Sequence, residues 1–75
     1  MDRPVNFILA DKYVNTKIYY VKSFEDFPLG VIRYSLSQKE YVFNPDGTYL
    51  NADIMLQISK FLKNLMADHN LRISL

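Results

Sequence analysis

The chain contains no cysteine, no tryptophan, two glycines and one histidine among its 75 residues. Without cysteine it can form neither a disulfide framework nor a thiolate zinc site. The two glycines, Gly30 and Gly47, are isolated, so they do not make the glycine-rich loop that cradles phosphate. These absences exclude several kinds of small functional domain and leave the protein surface as the main candidate for function.

A strong charge of one sign and long apolar runs are also missing. Nine basic and eight acidic side chains give a formal net charge of +1, whereas a dedicated duplex-DNA-binding domain is usually strongly basic. No apolar run approaches the roughly 20 residues that a membrane-spanning helix needs. Residues 1–4 lack the layout of a signal peptide. We therefore expect one small domain over residues 1–75, soluble and cytoplasmic, with no membrane contact.

Aromatic and β-branched residues are abundant in what remains. Apolar residues make up 49% of the chain and aromatic residues 15%. Such residues favour strands, and four segments bounded by turn-forming residues have this composition. The predicted strands are residues 5–9, 17–22, 31–35 and 40–43. The short connection between the last two predicts an antiparallel hairpin.

A turn and one helix complete the predicted fold. The tetrapeptide Asn-Pro-Asp-Gly at residues 44–47 has turn-forming chemistry at every position. Asn51 is a favourable N-cap for the helix that follows, and Asp53 complements the helix dipole. Apolar residues with helical spacing form one stripe, namely Ile54, Ile58, Phe61, Leu62 and Leu65. We expect Asn70 to cap this helix and residues 71–75 to add a short strand or to fray.

The predicted fold class is therefore α+β, with a three- or four-stranded, mostly antiparallel sheet and one C-terminal helix on one face. Strand alternation assigns to the helix-covered face Ile18, Tyr20, Ile32, Tyr34, Tyr41 and Phe43. It assigns to the second face Lys17, Tyr19, Val21, Val31, Arg33, Glu40 and Val42. That second face is too apolar for ordinary solvated surface. Either residues 5–9 or the C-terminal tail fold across it, or it is a contact surface.

Side chains suited to catalysis are scarce. His69 lies near the end of the predicted helix, and its acidic neighbour Asp68 points elsewhere on a helix, so we interpret His69 as a surface residue. A serine–histidine mechanism would also need an orienting acid and an oxyanion hole, and no motif indicates them. We expect a non-enzymatic protein with no catalytic residue, no metal site, no cofactor and no small-molecule substrate.

The candidate partner-binding residues lie on the second face and are Lys17, Tyr19, Val31, Arg33 and Val42. They predict binding to another protein or self-association, the latter as a homodimer that would stabilise a small domain. The alternative is a single-stranded nucleic-acid-binding module on the same face. In that alternative Tyr19 and Arg33 stack on bases, Lys17 tracks phosphates, and Tyr41 or Lys39 contributes.

Three segments carry a resemblance to a known group of proteins. They are Gly-Val-Ile-Arg-Tyr at residues 30–34, Tyr-Val-Phe-Asn-Pro at residues 41–45, and Leu-Gln-Ile-Ser-Lys-Phe-Leu at residues 56–62, with Thr48 between the last two. In these segments the chain resembles small phage and prophage proteins of unknown function. The resemblance spans residues 30–65, about half of the chain.

The resemblance implies the sheet-and-helix fold more directly than it implies an activity. It also implies a phage-encoded accessory factor that binds and inhibits a host or defence protein. That group usually carries a Trp-Arg pair in the hairpin loop, where this chain has Ser37, Gln38 and Lys39. Arg33 is the only charged residue of the shared pattern, which makes it the first candidate for a functional role.

Overall fold

The computed structural model describes residues 3–73 of the chain, and the side chains of residues 3–71. Four strands precede one helix, and their bounds are β1 Asn6–Lys12, β2 Lys17–Lys22, β3 Pro28–Ser35, β4 Glu40–Pro45 and α1 Ala52–Ile73. The strands form one sheet in the order β1-β2-β3-β4, and each neighbouring pair is antiparallel. The predicted α+β fold, with one C-terminal helix packed on the sheet, is confirmed.

Three strands are longer than the composition predicts. β4 continues to Pro45, so the turn expected at residues 44–47 is wrong in its first two residues, which pair with Val31 and Gly30. β1 continues to Lys12 through an irregularity between Leu9 and Asp11. β3 begins at Pro28, three residues before the predicted start, and its register with β2 shifts next to Leu29. A proline is tolerated at the first position of a strand, and a bulge accommodates the extra residue. The shift leaves Leu29 buried among the core side chains.

The helix begins where its cap predicts and ends later than expected. The backbone N–H of Ile54 donates to Oδ1 of Asn51 at 2.8 Å, so the predicted N-cap is confirmed. The helix then continues to Ile73, three residues past Asn70. The predicted cap at Asn70 is therefore wrong. Residues 71–73 are helical rather than extended, and the rest of that predicted strand lies outside the described residues.

The core lies between α1 and one face of the sheet. Val21 and Ile32 are fully buried at its centre. The predicted helical stripe is confirmed, because Ile58 belongs to this core and the other four stripe residues pack against it. At one side of the core the ring of Phe61 stacks on Phe7, with centroids 3.9 Å apart. The helix stripe and the sheet thus bury each other's apolar side chains, which is the main source of stability in a small domain.

Gln57 ties the start of the chain to the helix, although its spacing places it on the solvent side. The backbone N–H of Val5 donates to Oε1 of Gln57 at 2.8 Å, and Nε2 of Gln57 donates to the carbonyl oxygen of Arg3 at 2.9 Å. Val5 is buried as a result. Residues 3–5 consequently run beside the helix and do not cross the opposite face of the sheet.

His69 is buried, so the expected surface location is wrong. It lies four residues after Leu65 and therefore continues the apolar stripe by one turn once the helix extends to Ile73. Its ring packs beside Tyr34, with centroids 4.7 Å apart, and Nδ1 lies 3.1 Å from the carbonyl oxygen of Asn15. This contact links the end of the helix to the turn between β1 and β2.

Candidate interaction surface

The face of the sheet opposite α1 is covered by none of the residues that the structure describes. β1 lies at the edge of the sheet, and α1 packs on the other side. Neither of the two segments expected to cover the second face does so within residues 3–73. We call this surface the open face and define it by seven side chains: Ile8, Asp11, Ile18, Tyr20, Val31, Arg33 and Val42.

The strand register arranges the open face in two rows. In the first row Ile8, Tyr20 and Val31 are consecutive cross-strand partners. In the second row Asp11 pairs with Ile18, and Arg33 pairs with Val42. Because Tyr19 pairs with Ile32, Ile18 is the next neighbour of Arg33 across β2 and β3. The second row therefore reads Asp11, Ile18, Arg33 and Val42 from β1 to β4.

Apolar side chains on this face remain accessible to solvent. Ile8 is 43% exposed and Tyr20 is 52% exposed. Ile18, Val31 and Val42 are half-buried by their neighbours within the sheet. A contiguous apolar patch of this kind on a small domain marks an interaction site more often than a random surface.

Two opposite charges border the apolar rows. Arg33 is exposed, and it forms no hydrogen bond or salt bridge with the described residues. Asp11 is also exposed, and its Oδ1 accepts a hydrogen bond from the backbone N–H of Lys12 at 2.8 Å. Ile18 lies between the two charges, one strand away from each. The second row therefore presents one acid and one base, separated by an apolar side chain. By strand alternation Lys22 and Glu40 lie on the same side of the sheet, outside the two rows.

The pKa of Tyr13 depends on both charges of the second row. A hydrogen bond to Asp11 and the negative charge of that carboxylate raise the pKa of Tyr13 above its ordinary value of 10.0, while the charge of Arg33 acts in the opposite sense. Both charges of the second row are thus close enough to the Tyr13 hydroxyl to affect its ionisation.

Three of the five predicted contact residues lie on the open face, namely Val31, Arg33 and Val42. The placement of Tyr19 and Lys17 there is wrong. The Tyr19 ring meets Phe61 of the helix edge-on, with centroids 4.9 Å apart. Lys17 shares the face of Tyr19 by alternation, and its backbone N–H donates to the Tyr41 hydroxyl at 3.0 Å.

The error has a physical reason in β2. This strand is apolar on both sides, because Ile18 and Tyr20 alternate with Tyr19 and Val21. Alternation separates the two sets but does not say which set faces the helix. Pairing decides it: Tyr19 lies opposite Ile32, which is buried under the helix. Ile18 and Tyr20 are therefore outside, opposite to the prediction.

Sequence reasoning consequently missed four members of the open face, which are Ile8, Asp11, Ile18 and Tyr20. No signal within β2 could have found its two members. For β1, the irregularity between Leu9 and Asp11 changes the alternation and turns Asp11 to the side of Ile18. A bulge of this kind leaves no distinctive residue pattern in the segment.

The residues expected to serve nucleic-acid binding are dispersed. Tyr41 is buried and meets the Tyr34 ring edge-on at 5.4 Å, so it offers no free ring for a base. Tyr19 packs on the helix, and Lys39 lies in the loop between β3 and β4. Tyr20 is the aromatic ring that the open face presents instead.

Within residues 3–73 no group of three or more histidine, cysteine, aspartate or glutamate side chains is placed to hold a metal ion. The helix that the structure describes is too polar to cross a membrane. Comparison with family models, with curated proteins and with solved structures gives no match for this chain. The resemblance to small phage proteins stays a prediction.

Proposed function

We propose that this chain is a small non-enzymatic protein-binding factor and that the open face is its contact surface. One observation carries the proposal: five apolar side chains and an exposed arginine lie together on a sheet face that no described segment covers. Apolar centres with aromatic residues and arginine are typical of protein interfaces, whereas lysine and glutamate are depleted there.

Tyr20 is the expected anchor of this contact. An aromatic side chain buries about 150–250 Å² when fully covered, and Tyr20 is 52% exposed. Covering the remaining part would remove roughly 100 Å² from water, which corresponds to about 2.5 kcal/mol at 25 cal/mol per Å². A side chain with that potential at the middle of a patch has the character of an interface hot spot.

The proposed setting comes from the resemblance to phage proteins. In that setting the chain is phage-encoded and acts in the host cytoplasm as an inhibitor of a host or defence protein. Two of the resembling segments, residues 30–34 and 41–45, contribute Val31, Arg33 and Val42 to the open face. Of these three residues only Arg33 belongs to the shared pattern, since Val31 and Val42 are at its variable positions.

Site-specific photocrosslinking in living cells tests this proposal. A benzophenone amino acid replaces Tyr20 in one variant and Tyr49 in another. Tyr49 is a matched control, because it is also a tyrosine and is 101% exposed, in the segment between β4 and α1. We expect ultraviolet light to give discrete protein adducts from position 20 and none from position 49.

A second variant links these adducts to the surface itself. Adding Arg33→Glu to the Tyr20 crosslinker should abolish the adducts while the circular dichroism spectrum stays unchanged. Adducts of equal strength from positions 20 and 49 would contradict a specific contact surface, as would the absence of adducts at both positions.

The alternative function, single-stranded nucleic-acid binding, uses the same face with Tyr20 as the stacking ring. It predicts crosslinks from position 20 to nucleic acid rather than to protein. It also predicts that oligonucleotides quench tyrosine fluorescence at low salt and that this quenching falls steeply as salt rises. Protein adducts without such quenching would exclude this alternative.

A further inference from the structure

The second row of the open face has a charge at each end of Ile18, an acid on one side and a base on the other. We propose, as an inference that rests on the proposed function, that the open face binds a second copy of the chain face to face. In this dimer Asp11 of one protomer meets Arg33 of the other, and the apolar rows pack between the two pairs. The observation behind it is the order Asp11, Ile18, Arg33 along the second row.

A two-fold axis that runs along β2, between the two sheets, generates this dimer. Rotation about that axis places each β2 over its copy and each β1 over the β3 of the other protomer. Sheets that pack face to face keep their strands within about 30° of each other, so the rows remain in approximate register. The strand order β1-β2-β3 supplies the equal spacing on both sides of β2.

The same two-fold rotation brings complementary side chains together in both rows. In the second row Asp11 lies over Arg33 on one side, Arg33 lies over Asp11 on the other, and Ile18 packs on Ile18 between them. In the first row Ile8 lies over Val31, and the two copies of Tyr20 meet at the axis. Packed sheets are about 10 Å apart, a gap that the facing arginine and aspartate side chains together can span.

Two other positions of the two-fold axis do not bring Asp11 and Arg33 together. An axis along β3 places Arg33 against Arg33, which is a like-charge contact that costs free energy. An axis midway between β2 and β3 places Arg33 against Ile18 and Asp11 against Val42, which leaves both charges facing apolar groups. Of these three axes, the β2 axis is the one that pairs Asp11 with Arg33 and also pairs apolar residues. It brings the two copies of Lys22 to the axis as well, where each already forms an ion pair with Asp26 of its own protomer at 3.5 Å.

The expected dimer is small and therefore weak. Strands about 4.8 Å apart make the overlapping face of β1, β2 and β3 roughly 15 Å wide, and small interfaces bind weakly and reversibly. Sedimentation equilibrium should therefore cover protein concentrations from about 1 µM to about 1 mM, which brackets the affinities of weak complexes.

Charge exchange provides the test. Arg33→Glu places two acids in contact at both ends of the two-fold interface, and Asp11→Arg places two bases there. We expect each single variant to raise the dimer dissociation constant at least about tenfold, because like charges face each other at two symmetric contacts. The double variant Asp11→Arg/Arg33→Glu restores opposite charges, and we expect it to return within about threefold of the wild type.

Lys60→Glu is the matched control, since it makes the same change of charge on the exposed side of α1. It should leave the dissociation constant unchanged, which separates a local contact from an effect of net charge. Thermal unfolding of each variant at low concentration verifies that the fold is intact.

A wild-type protein that stays monomeric up to the highest concentration overturns the dimer, as does a double variant that is no tighter than either single variant. Neither result overturns the proposed function, which fails when the Tyr20 crosslinker gives no site-specific protein adduct or when its adducts persist unchanged with Arg33→Glu. Self-adducts from position 20 support both proposals. Adducts to a different protein alone support the function and contradict the dimer.

Discussion

Gly30 provides the sharpest prediction about stability, because the structure leaves no room for a side chain there. A Cβ atom at this position would lie 2.2 Å from the carbonyl oxygen of Asn44 and 2.7 Å from Cε1 of Phe43. The Phe43 ring can move, but the carbonyl oxygen belongs to the backbone of β4 in its pairing with β3. Relief of the clash in Gly30→Ala must therefore separate these two strands locally.

The expected cost follows from that immobility. Overpacking a well-packed region costs about 1–3 kcal/mol, and a backbone obstacle places Gly30→Ala at the upper end, about 3 kcal/mol. A domain of this size has a net stability of about 3–5 kcal/mol. With a urea m-value of about 1 kcal/mol/M, the unfolding midpoint should fall by about 3 M. The variant should begin to unfold at the lowest urea concentrations.

Gly47 is the matched control for this experiment. A Cβ atom at Gly47 meets nothing within 4 Å, but the backbone has a φ of +73°. Gly47→Ala therefore carries only the cost of a left-handed conformation, about 1 kcal/mol, and the midpoint should fall by about 1 M. The reasoning is refuted if Gly30→Ala destabilises the fold no more than Gly47→Ala does.

Three further predictions concern named contacts. Gln57→Leu leaves the buried N–H of Val5 without its acceptor and should lower the free energy of unfolding by about 1–3 kcal/mol; amide exchange at Val5 should accelerate with it. His69→Ala empties a buried site beside Tyr34, and a loss of about 2 kcal/mol is expected in urea unfolding. In an NMR titration the Tyr13 hydroxyl should ionise above its ordinary pKa of 10.0, and Asp11→Asn should lower that pKa. Because the folded chain holds this proton more tightly than the unfolded chain, the interaction stabilises the fold below pH 10.0 and is lost as the pH rises through the folded pKa.

Each of these predictions has a contradicting outcome. Unchanged Val5 exchange in Gln57→Leu would show that the N-terminal segment is held by other contacts. A His69→Ala variant as stable as the wild type would contradict the burial of the ring. A Tyr13 pKa that Asp11→Asn does not lower would show that the carboxylate does not contact the hydroxyl in solution.

Local chemistry accounts for the parts of the fold that the sequence predicted well. Asn51 caps the helix because its side chain replaces a missing backbone acceptor. The stripe from Ile54 to Leu65 packs as predicted, since helical spacing identifies a buried face without further information. β2 also has the predicted bounds, since its β-branched and aromatic residues favour a strand.

Long-range pairing accounts for what the sequence did not predict. The side of β2 that faces the helix depends on its register with β3, and both sides are apolar, so Tyr19 and Tyr20 could not be told apart. His69 depended on the helix passing Asn70, where the residue type favours a stop. The predicted surface therefore included the correct residues of β3 and β4, but it included the wrong face of β2.

The measurement that tests the central claim most directly is the comparison of photocrosslinks from positions 20 and 49 in the same cells. Both positions carry tyrosine and both are exposed, but only Tyr20 lies on the open face. The account predicts discrete protein adducts from position 20, their loss with Arg33→Glu, and no adducts from position 49. Adducts from position 20 that persist unchanged with Arg33→Glu, or no adducts there at all, would contradict it.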